Sequence, residues 1–260
     1  MSDAHKPAKS GTRTYLKKLR IWRGDASGGA LQDFEVEVNP GEVVLDIIHR
    51  VQATQAGDLA CRWNCKAGKC GSCSAEINGK PRLMCMTRMD IFKEGEPISV
   101  APIRTFPLIR DLVTDVSYNY EKAKQVPPLR LRPPDPDGKY RMMQEDVDRG
   151  QEFHKCIECF LCQDVCHVIR DHDLKKRFSG PRFFIKAAAL EMHPLDTVDR
   201  TEFLKAQGGI GLCNITKCCT EVCPEHIHIT DNGIIPLKER VADNNDPVVW
   251  VLRKLGLSKK

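Results

Sequence analysis

At 260 residues, 41% hydrophobic and 29% charged, the chain is long enough for two domains and has a globular rather than a disordered composition. Its net charge of +5 is spread over 40 basic and 35 acidic residues, which argues against the concentrated basic stripe of a nucleic-acid binder. No apolar run approaches the ~20 residues of a spanning helix, and the polar N-terminus lacks a signal-peptide core. The chain therefore reads as cytoplasmic, with membrane association only through a partner.

After a polar arm (1–13), the first third reads as a small β-rich domain (14–125). Tyr15 to Trp22 and Leu31 to Val38 are expected strands, joined by a turn at Asp25 to Gly29. In the second strand, Phe34, Val36 and Val38 alternate with Glu35 and Glu37, the period-two pattern of a half-buried strand. Pro40-Gly41 precedes an amphipathic helix, Val43 to Gln55, with Val44, Ile47, Ile48 and Val51 on one face. A cysteine-rich loop leads to a hairpin, Ser74 to Ile77 and Arg82 to Met84, turning at Asn78-Gly79. Ile98 to Val100 supplies a closing strand, and Leu108 to Tyr120 is expected to be helical.

Five prolines between Pro127 and Pro136 predict a stiff linker over 126–140. A helical domain is expected over 141–240, with helices at Glu145 to His154, Gln163 to Arg170, Pro181 to Glu191 and Thr197 to Gln207. A basic tail (241–260) carries Val248, Val249, Trp250 and Val251. The predicted class is α+β: an N-terminal plant-type ferredoxin, β-grasp-like domain and a C-terminal all-α bacterial-ferredoxin-like domain.

Thirteen cysteines in a chain with no export signal point to metal or redox chemistry rather than disulfides. Cys65, Cys70, Cys73 and Cys85 are spaced C-x4-C-x2-C-x11-C, whose leading part is the plant-type spacing for a [2Fe–2S] cluster. Gly68 and Gly71 suit a backbone wrapped closely around sulfide at positive φ, with N–H groups turned toward negative charge. Four cysteines also suit Zn²⁺, but zinc sites usually pair two separated C-x2–4-C hooks, which this pattern does not. A Rieske centre needs two histidines, and the loop has none. Cys61 reads as a spare thiol.

Cys156, Cys159, Cys162 and Cys166 form the bacterial run C-x2-C-x2-C-x3-C, whose fourth cysteine serves the other cluster in two-cluster ferredoxins. A second run has Cys213, Cys219 and Cys223-Pro224, with Thr216 where the second cysteine would stand. Crossover gives a [4Fe–4S] set of Cys156, Cys159, Cys162 and Cys223. It leaves three thiolates, Cys166, Cys213 and Cys219, for a cubane lacking one corner, a [3Fe–4S] cluster. Cys218 is the one candidate for a missing fourth ligand, but it stands two residues past that slot and reads as a buried, non-ligating thiol. No nucleotide motif or nucleophile–base pair accompanies these runs. A redox sensor would need an output domain, and none is evident.

These three spacings, with Cys70-Gly71-Ser72-Cys73, Ile77-Asn78-Gly79 and Cys223-Pro224, resemble the iron–sulfur subunit of succinate dehydrogenase or fumarate reductase over about residues 14 to 240. The resemblance implies a flavoprotein partner carrying covalent FAD, which faces the N-terminal domain. It also implies a transmembrane anchor bearing haem b, which faces the C-terminal domain at the cytoplasmic side of the cell membrane. Single electrons would pass through [2Fe–2S], [4Fe–4S] and [3Fe–4S] to quinone, and nothing in the chain fixes the direction. The tail from Arg240 to Lys260 reads equally as lying near the bilayer or as an ordinary surface helix. Ubiquinone-reducing members carry Pro, Trp and His where this chain has His167, Asp171 and Asn214. That departure suggests a quinone site built mostly by the anchor, and menaquinone as its occupant. His154 and His167 suit a surface or capping role, with proton transfer as the alternative.

Overall fold

The computed structural model describes residues 13–244 and 246–255. The polar arm, apart from Arg13, and the last five residues of the tail lie outside the described residues. The chain divides into two compact units; in the described part the first comprises 13–116 with 157–164, and the second 117–156 with 165–255.

The first unit is built on a seven-stranded sheet. Strands β1 (Tyr15–Asp25) and β2 (Gly28–Val38) form a long antiparallel hairpin, longer at its turn end than the side-chain pattern predicts. Helix α1 (Val44–Thr54) follows, and the β3 (Ser74–Ile77) and β4 (Lys80–Leu83) hairpin turns at Asn78-Gly79, both with positive φ. Strand β5 (Ile98–Ala101) pairs parallel with β1 and antiparallel with β3, the mixed pairing of a β-grasp sheet. The core is the predicted face of α1, Val44, Ile47, Ile48 and Val51, together with Leu45, Leu19, Ile21, Val36, Val38, Ile77 and Val100, all buried. Each fully buried aliphatic side chain contributes about 1.5–3 kcal/mol.

The sheet also buries a lysine. Lys17 stands two residues before Leu19 on the same face of β1 and is 1% exposed, while Leu16 points to solvent. The Lys17 ammonium donates to the backbone carbonyls of Lys93 and Glu94, and burial lowers its pKa. A long amphipathic stem lets a charged residue occupy a core-facing position while its head is satisfied by backbone oxygens.

The helix expected over Leu108 to Tyr120 is a correction. That stretch forms two short strands, β6 (Leu108–Arg110) and β7 (Val113–Thr114), and only Ser117–Gln125 is helical (α2). The cause is Asp111, 2% exposed and at φ 48°, whose carboxylate accepts from the backbone N–H of Gly24 and Ala60 and from Arg23 Nε. Three donors converging on a left-handed aspartate outweigh helical periodicity.

The second unit is helical, with α3 (Gln144–His154) and α6 (Pro181–Glu191) close to their predicted bounds. The helix expected from Gln163 to Arg170 is instead two short pieces, α4 (Leu161–Asp164, in the first unit) and α5 (His167–Arg170), broken where Cys166 is extended. The helix expected from Thr197 begins only at α7 (Thr201–Phe203): the Asp199 carboxylate accepts from Thr201 N–H at 2.9 Å and Thr201 Oγ1 at 2.7 Å, a local turn that competes with helix just ahead of it. It passes into a π-helical turn at Leu204–Gly208. Helices α8 (Cys218–Glu221), α9 (Ile235–Asn244) and α10 (Pro247–Lys254) complete the unit. Its core gathers Phe178, Phe183, Phe184, Ala187 and Ala188.

Arg200 is fully buried in this unit. It donates to the carbonyls of Pro127 (2.9 Å) and Pro128 (3.1 Å) and pairs with Asp196 (2.6 Å) and Glu191 (3.4 Å). Beside it the proline-rich stretch pairs with the chain around Asp196: Arg132 N donates to Leu195 O and Thr197 N to Arg130 O, both at 2.9 Å.

Candidate metal centres

The loop between α1 and β3 holds Cys65, Cys70 and Cys73, and Cys85 follows β4. Cys73 and Cys85 are buried, Cys65 is exposed and Cys70 is intermediate. Backbone N–H groups point at the sulfurs: Lys69 (3.2 Å) and Ala67 (3.4 Å) at Cys65 Sγ, and Cys85 (3.5 Å) at Cys73 Sγ. Gly68 and Gly71 take φ of 67° and 69° as the sequence suggests, and Lys66 joins them at 56°. Such a nest of inward N–H dipoles suits an anionic sulfur centre. Burial pushes the Cys70 thiol up, but hydrogen bonds from Ser72 and the Cys65 backbone outweigh it and bring it down to about 7. Burial pushes Cys73 up to about 12, so iron binding there must displace a proton. Cys61 is also pushed up to about 12 by burial, which makes it an unreactive thiol beside the loop.

Cys159 and Cys162 lie in the 157–164 segment of the first unit, both buried. Glu158 and Phe160 flank Cys159 at φ of 56° and 61°. The close approach of this segment to the first loop is carried by Gly71, where a Cβ would come within 2.6 Å of Cys159 Cα. Ser74 Oγ donates to both Gly71 O (2.9 Å) and Cys159 O (2.8 Å). Phe106 packs edge-on against Phe160 at 6.1 Å, and Asp164, fully buried, accepts from Thr105 N at 3.1 Å.

In the second unit, Cys166, Cys213, Cys218 and Cys219 line one cavity. Thr216 lines it too, at the position left without a cysteine, and its Oγ1 lies 3.3 Å from Cys218 Sγ. Cys218 is half-exposed rather than buried, which corrects the sequence expectation. Ile215 and Lys217 turn at φ of 61° and 64°, a nest made without glycine. Burial pushes Cys166 up to about 12 and Cys219 to about 11, the latter eased by a contact with Thr230 Oγ1 at 3.4 Å. Cys156 and Cys223 are half-buried in the same unit, and burial raises Cys223.

Among the described residues, no three Cys, His, Asp or Glu side chains converge as around a single ion. Thiols lining a cavity suit a multinuclear cluster, in which each iron takes its own thiolate, better than the tight tetrahedron of zinc. Sequence reading missed Ser74, Asp111 and Thr230. Only the position of Ser74 next to Cys73 offered a hint.

A profile of a 2Fe-2S iron-sulfur cluster binding domain matches residues 18–121, and one of a 4Fe-4S dicluster domain matches 152–227. The fumarate reductase iron-sulfur subunit of Mycobacterium tuberculosis is 34% identical over 206 residues, 77% of this chain and 82% of its own length. The succinate dehydrogenase iron-sulfur subunit of Bacillus subtilis is 28% identical over 76% of this chain and 81% of its own. A chain in the structure of the Mycobacterium smegmatis Sdh1 complex in the apo form is 68% identical, with a TM-score of 0.87, covering 91% of this chain and all of that one. Ferredoxin-type sheet unit, dicluster helical unit and relatives agree: the chain belongs to the family of succinate dehydrogenase and fumarate reductase iron–sulfur subunits, electron-transfer components of multi-subunit oxidoreductases.

Proposed function

We propose that this subunit serves a succinate dehydrogenase, taking electrons one at a time from an FAD-carrying flavoprotein and delivering them to quinone at a transmembrane anchor. The 68% identity to a chain of an Sdh1 complex supports that direction. The fumarate reductase name of the M. tuberculosis relative supports the reverse reading, quinol to fumarate.

The cluster ligands follow the spacings: Cys65, Cys70, Cys73 and Cys85 for [2Fe–2S], and Cys156, Cys159, Cys162 and Cys223 for [4Fe–4S]. Cys166, Cys213 and Cys219 serve [3Fe–4S]. The observation that supports the last set is the cavity those three thiols share, with Thr216 at the second position of the run; Cys218, the fourth thiol on its wall, stands two residues past that position. When bound, the clusters accept and release single electrons at potentials set by hydrogen bonds to sulfur and by solvent access. The chain's own part is to hold thiolates, to direct N–H groups at them from Ala67, Lys69 and Cys85, and to exclude water around Cys73, Cys85 and Cys166.

No helix among the described residues is long and apolar enough to cross a membrane. On α10, Val248, Val251 and Leu252, with Leu255 just beyond it, are 63%, 46%, 37% and 65% exposed at helical spacing. That apolar stripe supports docking of the tail against the anchor at the cytoplasmic face of the membrane. His167 and Asn214, which stand where ubiquinone-reducing members carry other residues, support a quinone site shaped largely by the anchor, for menaquinone.

EPR of the anaerobically isolated complex tests the reading. An oxidised-state [3Fe–4S] signal, followed by two further signals on dithionite reduction, is expected. Full iron content without an oxidised signal would overturn the three-thiolate assignment. Succinate-to-menaquinone activity exceeding quinol-to-fumarate activity supports the proposed direction, and the reverse ratio defeats it.

A further inference from the structure

Cys73 and Cys159 are buried thiols of different cysteine runs, 86 positions apart in the chain and brought together in the first unit. Ser74 directly follows Cys73 at the head of β3, and its hydroxyl bridges the Gly71 and Cys159 carbonyls. A hydroxyl has one proton, so these two acceptors share it and neither loop can withdraw without losing its part of the bond. Gly71 leaves no gap beside this bridge: an added Cβ would stand 2.6 Å from Cys159 Cα, 2.8 Å from Cys159 N and 2.9 Å from Ile157 O. The two loops therefore meet backbone to backbone, with Ser74 as the polar fastening.

We propose that Ser74 and Gly71 are positioning residues for electron transfer, fixing the separation of the first two clusters and supplying the shortest bonded route between them. The route runs from Cys73 through the Ser74 main chain and Oγ, across the hydrogen bond to Cys159 O, and on through the Cys159 backbone to its sulfur. One electron leaves the reduced [2Fe–2S] centre and one arrives at the oxidised [4Fe–4S] centre; no bond breaks and no proton leaves Ser74. Tunnelling decays far more slowly along covalent and hydrogen-bonded links than across empty space. The inference rests on the proposed ligand sets for Cys73 and Cys159.

The test uses the whole complex carrying Ser74→Ala, Ser74→Thr or Gly71→Ala, with iron content checked first. Two readouts apply: relaxation enhancement of the reduced [2Fe–2S] EPR signal by reduced [4Fe–4S], and the inter-cluster rate after rapid photoreduction. Ser74→Ala is expected to weaken the enhancement and slow transfer severalfold at unchanged iron content, with Ser74→Thr restoring both. Gly71→Ala, which forces the loops apart, is expected to do more. Unchanged enhancement and rate in fully loaded Ser74→Ala would overturn the inference. If Gly71→Ala does not assemble, Ser74→Ala against Ser74→Thr decides alone. A wild-type complex lacking either reduced-state signal would instead overturn the ligand assignment, and the inference with it.

Discussion

His167 Nε2 lies 2.7 Å from Asn214 Nδ2, so the residues that follow Cys166 and Cys213 touch each other beside the same cavity. The amide Nδ2 donates and the ring Nε2 accepts. The pair presents a polar, mutually satisfied wall next to the proposed [3Fe–4S] ligands. Polar groups near a cluster favour its more negative, reduced state. Replacing His167 by Leu is expected to lower the midpoint potential of that cluster by roughly 30–60 mV, the one-electron equivalent of about 0.7–1.4 kcal/mol. Redox titration followed by EPR measures this, and an unchanged potential would show that the pair is electrostatically remote from the cluster.

Thr216 and Cys218 make opposite predictions. Thr216→Cys restores the fourth thiolate of C-x2-C-x2-C-x3-C and is expected to yield a second [4Fe–4S] cluster, abolishing the oxidised-state EPR signal. Cys218→Ala is expected to leave that signal intact. Loss of the signal in Cys218→Ala would show that this thiol, 3.3 Å from Thr216 Oγ1, takes part in ligation.

Glu42 gives a pH-dependent stability. Hydrogen bonds from Arg50 (2.9 Å to Nη1) and Asn39, against the opposing effect of burial, hold its carboxyl at about 2 instead of the ordinary 4.5. The unfolded chain takes up this proton first, so the stabilisation is complete above pH 4.5 and is lost as the pH falls toward 2. Glu42→Gln is expected to cost about 1–2 kcal/mol near neutrality, where the charged bonds to Arg50 and Asn39 are intact. Thermal unfolding should show the gap between wild type and variant narrowing only below pH 4.5.

Arg200→Met strands the buried Asp196 carboxylate and takes one of two arginine partners from Glu191, which keeps Arg240 at 3.3 Å, and is expected to cost about 3–5 kcal/mol. Adding Asp196→Asn to that variant is expected to recover part of the loss, because one stranded charge is then gone. Denaturant midpoints of the three proteins check both statements.

The period-two strands, the α1 face and the three cysteine spacings were legible because each depends on residues close together in sequence. Elements fixed by distant partners were not. Leu108 to Tyr120 carries enough apolar residues for a helix, and only the donors from Gly24, Arg23 and Ala60 reveal why Asp111 breaks it. Lys17 occupies a core position because two carbonyls more than seventy residues away accept from it. At the centres, glycine announced the left-handed turns of the first loop, but Glu158, Phe160, Ile215 and Lys217 adopt the same conformation without any compositional sign. Ser74 follows Cys73 in every reading of the sequence, yet its partnership with Cys159 belongs to the fold alone.

The first unit takes its last piece, residues 157–164, from far along the chain, and that has a consequence for biosynthesis. A nascent polypeptide that has cleared the ribosome only to the prolines near residue 127 already holds every strand of the sheet. It lacks the segment that covers Gly71 and accepts from Ser74 and Thr105. Translating the missing stretch takes about 2–8 s at 5–20 residues per second. During that interval the cysteine loop has a bare backbone flank, open both to water and to whatever delivers iron and sulfide. Arrival of Cys159 closes that flank, so the order of synthesis favours loading the first centre before the second unit is complete.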